Sequence, residues 1–102
     1  MKIEKIRNSS QKLTIELFDI SRKNYPFLSS LIANNFNLIP SNNLIDSFDE
    51  IFQTYTNTNK KYTINLEWDN WSGYIIVAKD IESEKLINEI YDWLLVEKIE
   101  FK

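Results

Sequence analysis

The chain has 102 residues, of which 43% are hydrophobic and 26% are charged, and its net charge is −3. This length predicts a single domain over residues 1–102, and the apolar content excludes a disordered chain. The sequence contains no Cys and no His. Their absence excludes disulfides, thiol nucleophiles, imidazole bases and the commonest transition-metal ligands.

The beginning of the chain alternates charged and apolar residues and lacks the continuous apolar segment of a secretory signal. No apolar stretch approaches the roughly 20 residues of a membrane span. We therefore expect a cytoplasmic protein without a membrane partner. Residues 1–40 carry six basic and three acidic groups, whereas residues 41–102 carry six lysines and twelve acids. The acidic second part argues against nucleic acid as a partner and fits a basic protein better.

Residues 12–20 alternate apolar and polar side chains, which predicts a strand with one buried face. The spacing of Leu28, Leu31 and Ile32 predicts a short helix over residues 26–35, with Pro26 in its first turn. Pro40 prevents that helix from continuing.

Residues 41–55 are typical of a second helix. Ser41, Asn42 and Asn43 all favour a helix N-cap. One apolar stripe follows at helical spacing, formed by Ile45, Phe48, Ile51, Phe52 and Tyr55. Residues 56–61 then form a polar loop.

A β-hairpin follows over residues 62–78. A two-residue turn at Asp69-Asn70 and a four-residue loop over residues 69–72 are both compatible with its sequence. Both registers put the same apolar residues on one face, namely Tyr62, Ile64, Leu66 and Trp68 with Ile75 and Val77. The opposite face then carries Tyr74 and Ile76 as a partly exposed apolar strip.

The last predicted helix begins after Asp80 or Ser83 and buries a stripe of Leu86, Ile90, Trp93 and Leu94. The tail containing Ile99 and Phe101 is either a short edge strand or a packed segment. The element order is β-α-α-β-β-α with a possible terminal strand. It predicts an α+β fold, a small, mainly antiparallel sheet with helices packed on one face.

The sequence contains no motif that indicates a catalytic or cofactor site. The chain has one glycine, which excludes a P-loop and a dinucleotide-binding fingerprint, and no calcium-loop pattern is present. We therefore expect no cofactor, no metal and no catalytic residues. A carboxylate-based enzyme using Glu67 and Asp69 is a lesser alternative, because such acid pairs at a hairpin end are usually solvated.

The tryptophans leave one question open. Trp68 and Trp93 lie on apolar faces, so we assign both to the core. Trp71 lies in the predicted turn, where it either covers the core beside Trp68 or is exposed. An exposed Trp among acids is typical of a protein-interface hot spot. Gly73 either supplies an unusual backbone angle at the turn or leaves room for an indole.

The stretch "LEWDNWSGYIIVAKDIESEKLINEIYDWL" (residues 66–94) combines a W-D-x-W-S-G hairpin with a helix that has an acidic N-terminal end. It resembles small cytoplasmic immunity proteins of bacterial polymorphic and contact-dependent toxin systems. The resemblance implies a stoichiometric inhibitor of a cognate toxin domain, often a basic nuclease. Because binding residues vary between such systems, the resemblance assigns no residue a role.

These observations predict a non-enzymatic protein-binding protein, with an immunity protein as the leading hypothesis. The candidate partner-binding residues, chosen from the local pattern, are Asp46, Asp49, Glu50, Glu67, Asp69, Trp71 and Tyr74. The alternative is a small structural or regulatory subunit that forms a homodimer through an exposed strand.

Overall fold

The computed structural model describes residues 1–59 and 61–101, and Lys60 of the predicted loop lies outside them. Seven strands and two α-helices lie within these ranges, with a 3₁₀ turn at Arg22–Asn24. The strands are β1 (Ile3–Arg7), β2 (Leu13–Leu17), β3 (Leu38–Pro40), β4 (Ile45–Asp46), β5 (Glu50–Asn57), β6 (Thr63–Asp69) and β7 (Gly73–Ala78). The helices are α1 (Tyr25–Phe36) and α2 (Glu84–Val96).

One antiparallel sheet contains all of these strands, in the order β1-β2-β7-β6-β5-β3. Strand β3 pairs with the C-terminal half of β5, and the short β4 pairs with the N-terminal half of β5 on the same side. Both helices pack on one face, which we call the covered face, and the opposite face is the open face. The predicted α+β fold, with an antiparallel sheet and helices on one face, is therefore confirmed.

The hydrophobic core lies between the covered face and the helices. Its strand residues alternate with the pleat, as the period of two requires. The fully buried members are Ile15, Leu17, Ile64, Leu66, Tyr74 and Ile76 from the sheet and Leu28, Ile32, Ile87 and Ile90 from the helices. Three tyrosines belong to this core, and each hydroxyl has a hydrogen-bond partner: Tyr25 donates to the Leu66 carbonyl at 2.6 Å, Tyr74 bonds Ser29 at 2.8 Å, and Tyr55 donates to the Gln53 side chain at 3.1 Å.

Helix α1 differs from the predicted range 26–35 by one residue at each end, and α2 begins directly after Ser83, one of its two predicted starting points. Pro26 lies in the first turn of α1, where a missing N–H costs nothing. Asn37 ends α1 in the left-handed conformation, with φ of 57°. The predicted stripe of α2 is buried at Leu86, Ile90 and Leu94.

The helix predicted over residues 41–55 is wrong, because this segment forms β4 and β5. Ile51 and Tyr55 are four residues apart, a spacing that fits both one helix face and one strand face. Ser41 and Asn42 cap no helix and instead bond β5. The Asn42 side chain accepts from the Thr54 N–H at 3.0 Å, and the Ser41 N–H donates to the Thr54 carbonyl at 2.8 Å. Asn42 thus fills the gap between β3 and β4.

The face assignment of β7 is also wrong, whereas β6 buries Ile64 and Leu66 on the covered face as predicted. Asp69 pairs with Gly73, so three residues form the loop rather than two or four. An odd loop length moves every β7 side chain to the other face relative to β6. Tyr74 and Ile76 are therefore fully buried on the covered face with Leu66, and Ile75 lies on the open face.

The two ends of the chain complete the fold differently. The N-terminal segment forms β1 at the edge of the sheet, a strand that the sequence analysis did not predict. The C-terminal tail forms no strand within residues 97–101. Ile99 and Phe101 pack against the core, and the Phe101 ring meets the Phe27 ring edge-on at 6.0 Å between centroids.

Candidate protein-binding surface

One end of the sheet gathers three chain reversals with exposed aromatic side chains. The register places the end of β2, the β4–β5 turn and the β6–β7 loop side by side there. Phe48 is 92% exposed, Trp71 is 79% exposed and Phe18 is 46% exposed. We call this end, formed by Phe18, Phe48, Asp49, Glu50, Asp69 and Trp71, the hairpin-end surface.

The β6–β7 loop holds Trp71 outward by hydrogen bonds to the backbone. The Asp69 carboxylate accepts from the N–H groups of Trp71 at 2.9 Å and Ser72 at 2.6 Å. Gly73 closes the loop with a φ of +74°, and a Cβ there would lie 2.5 Å from the Leu17 carbonyl oxygen. The glycine therefore serves both the turn and the close approach of β2. The open question about Trp71 is answered, since the side chain is exposed.

The β4–β5 turn is fixed in a comparable way. The Ser47 N–H and hydroxyl both donate to the Glu50 carbonyl, at 2.8 and 3.1 Å. Arg22 donates to the Ser47 and Phe48 carbonyls and forms an ion pair with Asp46. These bonds leave Phe48 projecting from the turn. The Asn70 amide donates to Asp49 at 3.4 Å and joins the two turns.

The open face beside this end is acidic. Glu4 lies opposite Glu16 on neighbouring strands, and Glu50 lies opposite Asp69. Glu67 and Glu16 flank Ile75 on either side. Among the described residues, none of these five carboxylates has a Lys or Arg nitrogen within 4.0 Å. Within residues 1–59 and 61–101, these acids therefore form a negative surface that no salt bridge neutralises.

Burial and mutual repulsion raise the pKa of two of these acids. Partial burial raises the pKa of Glu67, and the charges of Glu50 and Asp69 raise it further, against a lowering by the Asn65 hydrogen bond. Burial also raises the pKa of Glu16, followed by the charges of Glu4 and Asp69. A positive charge placed here would stabilise both carboxylates.

Five of the seven predicted partner-binding residues come together. Asp49, Glu50, Glu67, Asp69 and Trp71 lie on the hairpin-end surface or on the adjoining open face. Trp71 and Asp49 are exposed, whereas Asp69 is committed to its loop.

The other two predicted residues do not join them. Tyr74 is fully buried among the helices, so the expectation of a partly exposed strip at Tyr74 and Ile76 is wrong. Asp46 is paired with Arg22, whose guanidinium also lies 5.5 Å from the Trp68 ring centroid. Trp68 itself is half-buried against the core, and its indole N–H donates to the Ile20 carbonyl at 3.0 Å.

Local pattern did not identify Phe48, Glu16 and Ile75 as candidate residues of this site. Phe48 falls on the stripe of the predicted helix over residues 41–55, which the structure replaces with β4 and β5. Glu16 comes to lie beside Ile75 only because β2 pairs with β7, which no local pattern indicates. Ile75 was assigned to the covered face through the wrong loop length.

Two further findings concern the described residues as a whole. Within residues 1–59 and 61–101, no three carboxylates converge closely enough to hold a metal ion. No helix in the same ranges is long and apolar enough to cross a membrane.

Comparison with known proteins gives no match to a family model, a curated protein or a solved structure.

Proposed function

We propose that this protein is a non-enzymatic binding protein, most concretely an immunity protein that neutralises a cognate basic toxin domain. The observation that carries the proposal is the hairpin-end surface, where exposed Trp71 and Phe48 adjoin acids that form no salt bridge with any residue the structure describes. Large exposed aromatic side chains on a soluble domain mark interaction sites when they cluster at one place.

The aromatic and the acidic side chains contribute to binding in different ways. Trp is enriched among residues whose truncation costs an interface 2 kcal/mol or more, because a buried indole removes a large apolar area from water. Carboxylates contribute mainly by steering a positively charged partner and orienting it on arrival. An acidic inhibitor seated on a basic toxin would cover the cationic surface that the toxin offers to its substrate.

The two edges of the sheet argue against a homodimer formed by strand pairing and favour a different protein as the partner. A homodimer formed by strand pairing needs a long, free strand edge. At one edge, β1 carries Glu4, Lys5 and Arg7. The other edge is divided between the short strands β3 and β4, and Pro40 lies within β3. Charged, short and proline-containing edges discourage pairing.

Affinity capture from the native cells tests the proposal. The tagged protein should retain one stoichiometric basic chain, and this chain, once purified, should lose its toxic activity on adding one equivalent of the protein. Trp71→Ala should weaken the complex by roughly 2 kcal/mol or more. Ile81→Ala is the matched control, because Ile81 is 84% exposed and follows β7 at the opposite end of the sheet.

Charge reversal tests the electrostatic part. Glu50→Lys should slow association and reduce its dependence on salt, whereas Glu82→Lys, an equal change at the opposite end, should have little effect. Asp69 is unsuited to this test because its carboxylate holds the loop. Equal behaviour of the two reversals, or a tight self-dimer in sedimentation with no captured chain, would contradict the proposal and favour the structural subunit.

A further inference from the structure

The open face contains a groove that the proposed binding role does not yet explain. It has a volume of about 400 Å³, and its floor is formed by Ile75, Val77 and Thr14. Glu16 and Glu67 line one part of the groove, and Lys12 and Lys79 line another. Glu16 and Glu67 share with Ile75 the strand parity that faces away from the helices, and Lys12 and Lys79 directly adjoin the ends of β2 and β7.

The register fixes the spacing of the two acids. Glu16 on β2 and Glu67 on β6 are the direct partners of Ile75 on the strand between them. Neighbouring strands are about 4.8 Å apart, so the two acidic residues stand roughly 10 Å apart across Ile75. That gap accepts one cationic head group between two carboxylates, above an apolar side chain.

Glu67 is held in place from behind. The Asn65 side-chain amide donates to one Glu67 carboxylate oxygen at 3.1 Å, and the Thr54 hydroxyl donates to the side-chain oxygen Oδ1 of Asn65 at 2.8 Å. This chain of two bonds orients Glu67 and leaves its other carboxylate oxygen without a bond among the described residues. A carboxylate fixed by its neighbours loses less conformational entropy on binding a cation.

Resting on the proposed function, we propose that the open-face groove binds one arginine or lysine side chain of the basic partner. The cation lies between Glu16 and Glu67, and the methylene stem packs on Ile75 and Val77. Long basic side chains bury their stems on apolar surface while the charge meets polar groups, which is the arrangement that this groove offers.

Lys12 sets the direction of the bound side chain. It donates to the Lys79 carbonyl at 3.0 Å, which holds the Lys12 ammonium beside β7 beyond Ala78, at what we call the lysine end of the groove. Its positive charge repels the head of an arginine and favours the orientation in which the arginine points to the glutamates. The partner backbone therefore lies above the lysine end.

The test uses a defined probe, N-acetyl-arginine methylamide, titrated into the intact protein and followed by NMR of side-chain carboxyls and methyls. We expect saturating shifts at Glu16, Glu67, Ile75 and Val77, with affinity in the millimolar range that a single small group can supply. N-acetyl-citrulline methylamide, nearly the same shape without the charge, should bind roughly tenfold more weakly.

Two variants separate the groove from general attraction to an acidic protein. Glu67→Gln should reduce the affinity for the arginine probe severalfold, and Glu82→Gln should leave it unchanged. In the wild type, the pKa of Glu67 should fall when the probe binds, since a nearby cation favours the charged form. Equal shifts at all surface carboxyls, or equal binding of citrulline, would overturn the proposal.

The experiments distinguish a failure of the groove proposal from a failure of the proposed function. If a basic partner is captured and its binding depends on Trp71, but the groove does not bind the arginine probe, the groove proposal alone is refuted. A groove that binds arginine, in a protein that captures no basic chain, would refute the immunity role and leave the groove as a site for a cationic group.

Discussion

The two faces of the sheet bury neighbouring residues of one strand by different means. Ile76 on the covered face is 0% exposed, and helices lie over it. Ile75 on the open face is 8% exposed although no helix of the described residues covers it. Its cover comes from side chains of the adjacent strands, with Glu16 and Glu67 on either side. The covered face is a closed core, whereas the open face is a lined groove.

The treatment of polar groups shows the same contrast. On the covered face, burial raises the pKa of Tyr25 and Tyr74 well above the ordinary value, so both hydroxyls stay neutral, and each has a hydrogen-bond partner. On the open face, no Lys or Arg nitrogen of the described residues lies within 4.0 Å of Glu4, Glu16, Glu50, Glu67 or Asp69. The covered face thus satisfies its buried polar groups, whereas the open face leaves negative charges that a basic partner could pair with.

The largest expected effect separates the faces directly. Ile76→Ala should lower the free energy of unfolding by about 3–5 kcal/mol, because the helices prevent collapse of the cavity. Ile75→Ala should cost roughly 1–2 kcal/mol, since water and neighbouring side chains can fill an open groove. Urea unfolding of both variants measures the difference. Equal losses would show that the open face is as closed as the core.

A smaller loss is expected at the glycine that closes the hairpin. Gly73→Ala should lower the free energy of unfolding by roughly 1–3 kcal/mol, because φ is positive and the new Cβ meets the β2 backbone. Ser72→Ala, one residue earlier, is the control and should be nearly neutral. A thermal midpoint unchanged in Gly73→Ala would mean that β2 can move away from the loop at little cost.

Neutralising Glu67 should slightly raise the free energy of unfolding, and the pH dependence of this increase identifies its cause. Its pKa is higher in the folded than in the unfolded chain, through burial and then the charges of Glu50 and Asp69, with Lys79 opposing. The folded state therefore binds the proton more tightly, and wild-type stability falls as pH rises through the carboxylate range.

Glu67→Gln keeps the acceptor for Asn65 and removes the charge. At neutral pH the variant should be more stable than the wild type, by less than about 1 kcal/mol. The difference should vanish below about pH 4, where the carboxyl is protonated in both states. Unfolding in urea at several pH values measures it. A gain that persists at low pH would point to packing rather than charge.

The smallest effect on stability is expected at Trp71. Because its side chain is 79% exposed, Trp71→Ala should change the free energy of unfolding by no more than about 0.5 kcal/mol. The same variant should lose most of its partner affinity. A marked loss of thermal stability would instead assign the indole a structural role at the end of the sheet.

Local pattern was sufficient for much of the fold. The alternation in β2, β6 and β7 and the helical stripes of α1 and α2 identified these elements, because each is long enough for one period to dominate. The α+β class followed from their order. Local pattern also identified the acidic hairpin end that carries Trp71.

Residues 41–55 show where local pattern was insufficient. The spacing of Ile51 and Tyr55 satisfies a helix and a strand equally, and the choice is made by pairing of β5 with β6. Sequence near Ser41 and Asn42 favours a cap as much as it favours the bonds to Thr54 that form instead. The candidate surface residue Phe48 was lost with this misassignment.

By itself, the sequence determined that this protein forms a hairpin with an acidic, tryptophan-containing end and two amphipathic helices. Only the tertiary structure decided which side chains of β7 join the buried face of β6 beneath the helices. That choice depends on one residue of loop length, which the Asp69 carboxylate and the approach of β2 to Gly73 fix together. Because a sheet alternates with a period of two, that residue exchanges the core and the surface, burying Tyr74 and placing Ile75 between two glutamates.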